Sequence, residues 1–216
     1  CEDQADLLED SVKAHDLPAM ADVDSSMLYF CRIVSKQHKV VLTGECADEV
    51  FGGYPWFHRE EFLKGGTFPW TPTLDPRKNL LSKELRELLR MEEYVQDTYN
   101  RALMDITPLP EENETETNRR QIGYLNIRFF MQTLLTRMDR TSMYSGLEAR
   151  VPFADPKLVS YVYNIPWNMK AKDGLVKNIL RQAAKGLLPD EILFRRKSPY
   201  PKSYNPQYEK LLTQRL

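Results

Sequence analysis

Apolar residues along the first quarter of the chain recur at two different spacings. Between residues 25 and 36, Met27, Leu28, Phe30, Cys31 and Val34 fall three and four apart, which predicts a half-buried helix with Asp24 or Ser25 placed to cap its first amides. Residues 39–43, KVVLT, form a β-branched run that ends at Gly44, and such continuous apolarity predicts a parallel strand buried on both faces. Upstream, residues 2–13 read as a short acidic helix and HDLPAMADVDSS as a loop. After Gly53, PWFHREEFLKGG predicts a short helix, and the prolines of residues 67–77 forbid a regular element.

Further along, the helical period dominates. Residues 82–106 interleave leucine, methionine and tyrosine with charges over more than six turns and predict one long amphipathic helix, which PLPEENETE breaks. A second long pattern over residues 115–144 has Tyr124, Leu125, Ile127, Phe129, Phe130, Leu134, Leu135 and Met138 as its apolar series and predicts the central core helix. Asp155 and Pro156 place a cap before a first-turn proline, residues 174–185 predict another helix that stops at Gly186, and Pro189 opens one more. The acidic link 111–116 reads as a solvated loop. The fold expected is mainly α with one or two strands, in a single domain over residues 1–216.

Composition narrows the classes. Hydrophobic residues at 42% and charged residues at 28% suit a folded globular chain, and 30 basic against 31 acidic residues leave no global field for nucleic acid or an anionic membrane. No stretch approaches a membrane span, and CEDQADLLED lacks a signal-peptide pattern. Cys1, Cys31 and Cys46 have neither disulfide-framework nor zinc spacing, so a reducing cytoplasm is expected. His15, His38 and His58 form no metal-binding pair.

Three segments carry candidate chemistry. In the first, VVLTGECADEVFGGY, a strand runs into Gly44 and then three carboxylates: Gly44 lets backbone approach a ligand, and Glu45, Asp48 and Glu49 supply oxygen ligands for Mg²⁺ or a base. The same residues also suit a plain corner, with Asp48 and Glu49 as helix caps and Gly52 and Gly53 as the stop. In the second, Arg150 sits beside Val151, Pro152 and Phe153, where it could pair a buried carboxylate or hold an anionic substrate. The third, FRRKSPYPK, is a basic cluster ahead of a proline-rich loop, suited to phosphates but also to a solvated surface.

Taken together, LTGECADEVFGGYPWF, GLEARVPFAD and LVKNILRQAAKGLLPDEILFRRKSPYPKSYNP resemble, in order, the motifs of the asparagine synthetase family, and the similarity extends over residues 16–207. The resemblance implies the C-terminal part of a synthetase domain, a remnant of an α/β fold of the adenine nucleotide α-hydrolase-like, PP-loop ATP pyrophosphatase type. It also implies an intact parent, cytoplasmic and with room for a homodimer, that uses ATP and Mg²⁺ to activate aspartate as β-aspartyl-AMP, which ammonia from glutamine then attacks. On this chain it places Glu45 near the adenylate assisting ammonia, Asp48 as a Mg²⁺ ligand, Lys197 on the phosphates, Thr43 and Gly44 by the nucleotide, and Arg150 near the aspartyl intermediate. The related β-lactam synthetases carry tyrosine where Glu45 stands, so the glutamate favours asparagine synthesis, and retention of Glu45, Asp48 and Lys197 argues against a scaffold that has lost catalysis. The family's Ser-Gly-Gly-x-Asp-Ser phosphate loop does not occur in this sequence. Cys1 invites comparison with the family's glutaminase nucleophile but lacks its Gly-Ile-rich continuation. The chain alone is expected neither to bind ATP tightly nor to turn over.

Overall fold

The computed structural model describes residues 2–18, 20–198, 200 and 205–215, so Cys1 and, in the basic cluster, Pro199, Pro201 and Lys202 lie outside the described residues. In chain order the elements are α1 (Glu2–Asp6), α2 (Leu8–His15), α3 (Ala21–Ser35), β1 (Val40–Leu42), α4 (Ala47–Phe51), α5 (Glu60–Leu63), α6 (Asp75–Lys78), α7 (Lys83–Leu89), α8 (Met91–Met104) and α9 (Glu114–Leu125). They continue with α10 (Met131–Tyr144), β2 (Glu148–Arg150), α11 (Pro156–Tyr163), α12 (Trp167–Lys170), α13 (Asn178–Ala183), α14 (Asp190–Leu193) and α15 (Pro206–Arg215). Helices therefore dominate, as the apolar spacing predicts. The residues gather into two compact units, one of residues 1–46, 132–155 and 184–216, the other of 47–131 and 156–183.

The first unit is organised by the parallel pair β1 and β2, in register Val40 to Glu148, Val41 to Ala149 and Leu42 to Arg150. Side chains alternate across a strand, so Val41 packs with Met27, Cys31, Val34, Met138 and Leu147 while Val40 and Leu42 stay 43% and 70% exposed. The strand is thus covered on one face among the described residues, not on both as its apolar run predicts. β2 ends up parallel because α10 stops in a Schellman turn: Gly146 takes φ 69°, its N–H donates to Met143 O, and Leu147 N–H donates to Ser142 O. Leu147, buried at 1%, then anchors the strand. Gly146→Ala is expected to cost about 1 kcal/mol through its left-handed backbone, read as a lower melting temperature.

Two expected boundaries shift in this unit. Residues 2–13 split at Leu7 into α1 and α2, and α3 begins four residues before Ser25 because Asp24 Oδ2 accepts from Met20 N at 2.8 Å, reaching back over the first turn. His15 Nε2 meets Thr141 Oγ1 at 3.0 Å, and Arg140 Nη1 donates to His15 O and Asp16 Oδ2, so this histidine ties α2 to α10. α15, with no counterpart in the expected elements, docks on α3 through buried Tyr208, whose hydroxyl lies 3.2 Å from that of Ser25.

In the second unit the predicted helix over 82–106 is two helices, α7 and α8, because Arg90 takes a left-handed φ of 44° between them; Ser82 Oγ caps α7 by accepting from Leu85 N. The pattern over 115–144 does form one helical run, but residues Asn126–Phe130 widen into a π turn between α9 and α10. The segment after Gly53 is a 3₁₀ turn, Pro55–Phe57, followed by α5. The helix expected over 174–185 shortens to α13, with Lys177 at φ 56° ahead of it. Leu125, Phe68 and Ala102 form the core, joined by an aromatic cluster in which Trp56, Trp70 and Phe130 approach one another within 6.0 Å.

The acidic link is not simply solvated. Asn113 and Glu116 form a capping box at the start of α9, and Glu112 pairs with Arg120 at 2.6 Å with the two side chains only 13% and 9% exposed. That pairing holds the Glu112 carboxyl below its usual range, chiefly through the hydrogen bond from Arg120. Its contribution is present near neutral pH and is lost as acid protonates Glu112. Glu112→Ala is expected to cost about 3 kcal/mol by stranding Arg120, measured by thermal denaturation at pH 7.

Candidate active site

Thr43, Gly44 and Glu45 follow the carboxyl end of β1, where open parallel sheets place their ligands. Thr43 N–H donates to Arg150 O at 2.9 Å, extending the ladder one residue beyond β1 and tying together two of the sequence-predicted positions through backbone. Gly44 is exposed, and a Cβ built there would meet nothing within 4 Å, so the open space its sequence position suggests is present. Glu45 is partly buried; its N–H donates to Thr43 Oγ1 at 3.4 Å, and its Oε1 lies 3.5 Å from Arg137 Nη2. Arg137 Nε is buried with no hydrogen-bond partner among the described residues. Cys46 then takes φ 69°, unusual for a residue with a Cβ, and redirects the chain into α4.

Asp48 and Glu49 enter the second unit in the first turn of α4 and point to different partners. Asp48 Oδ1 lies 2.9 Å from Lys177 Nζ, and buried Glu49 accepts the Tyr54 hydroxyl at 2.6 Å. Gly52, at φ 68°, and Gly53 stop the helix, with Gly53 N–H donating to Asp48 O at 2.8 Å. A Cβ on Gly53 would overlap the Asp48 carboxylate and come within 2.9 Å of Lys177 Cε, so this glycine keeps the space in which the ion pair sits.

Arg150 departs from its expected environment. It pairs at 2.7 Å with Glu148, two residues back on the same strand, and both side chains are exposed, because β2 turns alternate residues to its open face. Lys197 is exposed in the irregular stretch after α14. Sequence reading singled out neither Arg137 as the neighbour of Glu45 nor Lys177 as the partner of Asp48. The signal for Lys177 is a lone lysine just ahead of a short helix, which spacing alone does not distinguish from a surface charge.

Among the described residues no three His, Cys, Asp or Glu side chains gather as a metal site. Asp48 supplies one carboxylate, which suits Mg²⁺ when phosphates and water provide its remaining ligands. Cys31 and Cys46 are buried and stand outside any disulfide, and burial, aided by the charge of Glu45, pushes the Cys31 thiol up to about 11.

The second unit also carries a half-open cavity of about 480 Å³ lined by Val50, Phe57, Leu109, Ile127 and Ile165 and by the charged residues of α9 and α12. Lys170 lines it and donates from Nζ to Tyr163 O at 3.1 Å. Burial, reinforced by Arg120, lowers the Lys170 ammonium to about 8 from 10.5. Between those values the unfolded chain holds a proton the native state lacks, so stability rises with pH; the penalty is full below pH 8. Lys170→Met should flatten that rise and stabilise the fold at pH 7 by roughly 2 kcal/mol, measured in melts across pH 7 to 10.

These features define a helix-rich protein with one parallel pair of strands, in which Thr43, Gly44 and Glu45 follow β1 in the first unit and Asp48 opens α4 in the second. The chain belongs to the asparagine synthase family, whose sequence model matches residues 1–216. It is 51% identical over 208 residues to the protein named glutamine-hydrolysing asparagine synthetase 3 of Bacillus subtilis, covering 96% of this chain and 34% of that one. Asparagine synthetase 1 of the same organism is 29% identical over 84% of this chain and 34% of its own, and the Rattus norvegicus enzyme is 40% identical over 43% of this chain and 16% of its own. The chain therefore spans about a third of the length of the Bacillus relatives. Among the described residues no helix is long and apolar enough to cross a membrane.

Proposed function

We propose that the protein to which this chain belongs is a cytoplasmic ligase that makes asparagine from aspartate with ATP, releasing AMP and pyrophosphate by way of β-aspartyl-AMP, with ammonia drawn from glutamine. The observation that carries this reading is the family match over the whole chain, together with the order in which β1 runs into Gly44, Glu45 and then Asp48 along the sequence. The fold proposed for the complete domain is of the PP-loop ATP pyrophosphatase type, of which β1 and β2 are two parallel strands.

In this reading Thr43 and Gly44 lie against the nucleotide, where the open space beside Gly44 admits a close approach. Glu45, held by Arg137, takes a proton from the attacking nitrogen as the amide forms. Asp48 holds Mg²⁺, which when bound offsets the charge of the phosphates. Lys197 supplies a cation for the departing pyrophosphate, and Lys177, paired with Asp48, adds positive charge. Arg150 exchanges its exposed partner Glu148 for the aspartyl carboxylate.

Gly44→Ala provides the test. Its Cβ meets no protein atom, so the melting temperature of the complete gene product is expected to stay within a degree or two while KM for ATP rises about tenfold, as when a backbone approach worth ~1.4 kcal/mol is blocked. An unchanged KM would remove the nucleotide from this position.

A further inference from the structure

The cavity of the second unit has no part in the reaction proposed above, and its charges are incompletely matched. Three cations line it: Arg119, Arg120 and Lys170. Arg120 is paired with Glu112 and also donates to Asn164 Oδ1. Arg119 donates from Nε to Phe57 O at 3.3 Å and lies 4.8 Å over the Trp167 ring, with no carboxylate within 4.0 Å among the described residues. Among the described residues the one hydrogen-bond partner of Lys170 Nζ is the Tyr163 carbonyl. Of the four carboxylates in the lining, Glu49 accepts from Tyr54, Glu112 holds Arg120, and Glu116 accepts from Asn113 N in the capping box, while Glu111 is exposed in the link ahead of α9.

We propose that this cavity binds a small organic carboxylate with an apolar body, its carboxylate meeting Lys170 and Arg119 and its body lying against Val50, Phe57, Ile127 and Ile165. A part-buried cation without a counter-ion destabilises a fold, so Lys170 and Arg119, both in the lining of this cavity, gain when an anion arrives. A carboxylate supplies charge-assisted hydrogen bonds, and an apolar body uses the remaining wall, which a bare inorganic anion would leave uncovered. The volume is in the range of small-molecule sites. Glu49 and Val50, in the wall, belong to the helix that carries Asp48, so an occupant would contact that helix from the cavity.

Calorimetric titration of the complete gene product with 4-methylvalerate, 4-methylvaleramide and inorganic phosphate tests the assignment. The acid is expected to bind at least tenfold tighter than either the amide or phosphate, and Lys170→Met to remove that advantage. In parallel, lysine acylation of the unmodified protein read by mass spectrometry needs no variant: the acid should slow modification of Lys170 at least fivefold, and the amide should not. Equal binding of acid and amide, phosphate binding as tightly as the acid, or an unprotected Lys170 at saturating acid would each overturn the proposal and leave Lys170 as a lysine that merely reaches from the wall toward solvent. None of these readouts depends on asparagine formation, so failure of the catalytic reading would not affect them.

Discussion

In the complete gene product, Glu45→Gln is expected to retain aspartate-dependent exchange of pyrophosphate into ATP while asparagine formation from free ammonia falls about 10²- to 10⁴-fold, the usual worth of a positioned general base. Lys197→Ala is expected to lose both reactions by about 10²- to 10³-fold, because a preorganised cation on the departing phosphates acts at adenylation, before ammonia enters. The two variants thus separate the halves of the proposed reaction. Glutamine in place of glutamate leaves the hydrogen-bond acceptor for Arg137 and removes only the base, so a folding defect is not expected. Normal turnover in both variants would overturn the role of each residue.

Gly53→Ala is expected to be the most damaging small substitution in the second unit. Its methyl would overlap the Asp48 carboxylate and crowd Lys177, so the ion pair must open in a part-buried setting or α4 must shift. A cost of about 2–4 kcal/mol is expected, the range for overpacking combined with a broken buried pair. Thermal melts measure the first effect and ATP-dependent turnover the second. A Gly53→Ala protein with wild-type stability would mean that Asp48 and Lys177 are not held as a pair. The contrast with Gly44→Ala is internal: both are glycines of one motif, yet only Gly53 faces filled space.

The candidate site was legible in residue type and order. A strand running into glycine and carboxylates, the Glu-x-Arg segment and the basic cluster suggest oxygen ligands and anion-binding cations without coordinates, and amide chemistry enters only through their resemblance to the asparagine synthetase family. What those residues touch was not legible. Arg150 reads as a partner for a buried charge because Val151, Pro152 and Phe153 follow it, yet strand alternation sends it to the open face beside Glu148. Lys177 and Arg137 are distant in sequence from the carboxylates they meet, by 129 and 92 residues, and no local pattern encodes a contact at such separation.

The sequence by itself determined that this chain is helix-rich, that one β-branched run is a strand, and that its motifs are those of the asparagine synthase family, because periodicity and motif order are properties of neighbouring residues. Tertiary structure alone decided where the long helical patterns break. Arg90 in the left-handed region interrupts a stretch that holds neither proline nor glycine, and the π turn over Asn126–Phe130 interrupts one whose apolar period runs on past Gly123. It also decided that GLEAR becomes a strand parallel to β1, since the Schellman turn at Gly146 and burial of Leu147 outweigh the weak strand preference of glutamate and alanine. Both outcomes follow from packing between distant segments, whose free energy depends on which surfaces meet in three dimensions and not on the spacing of residues along the chain.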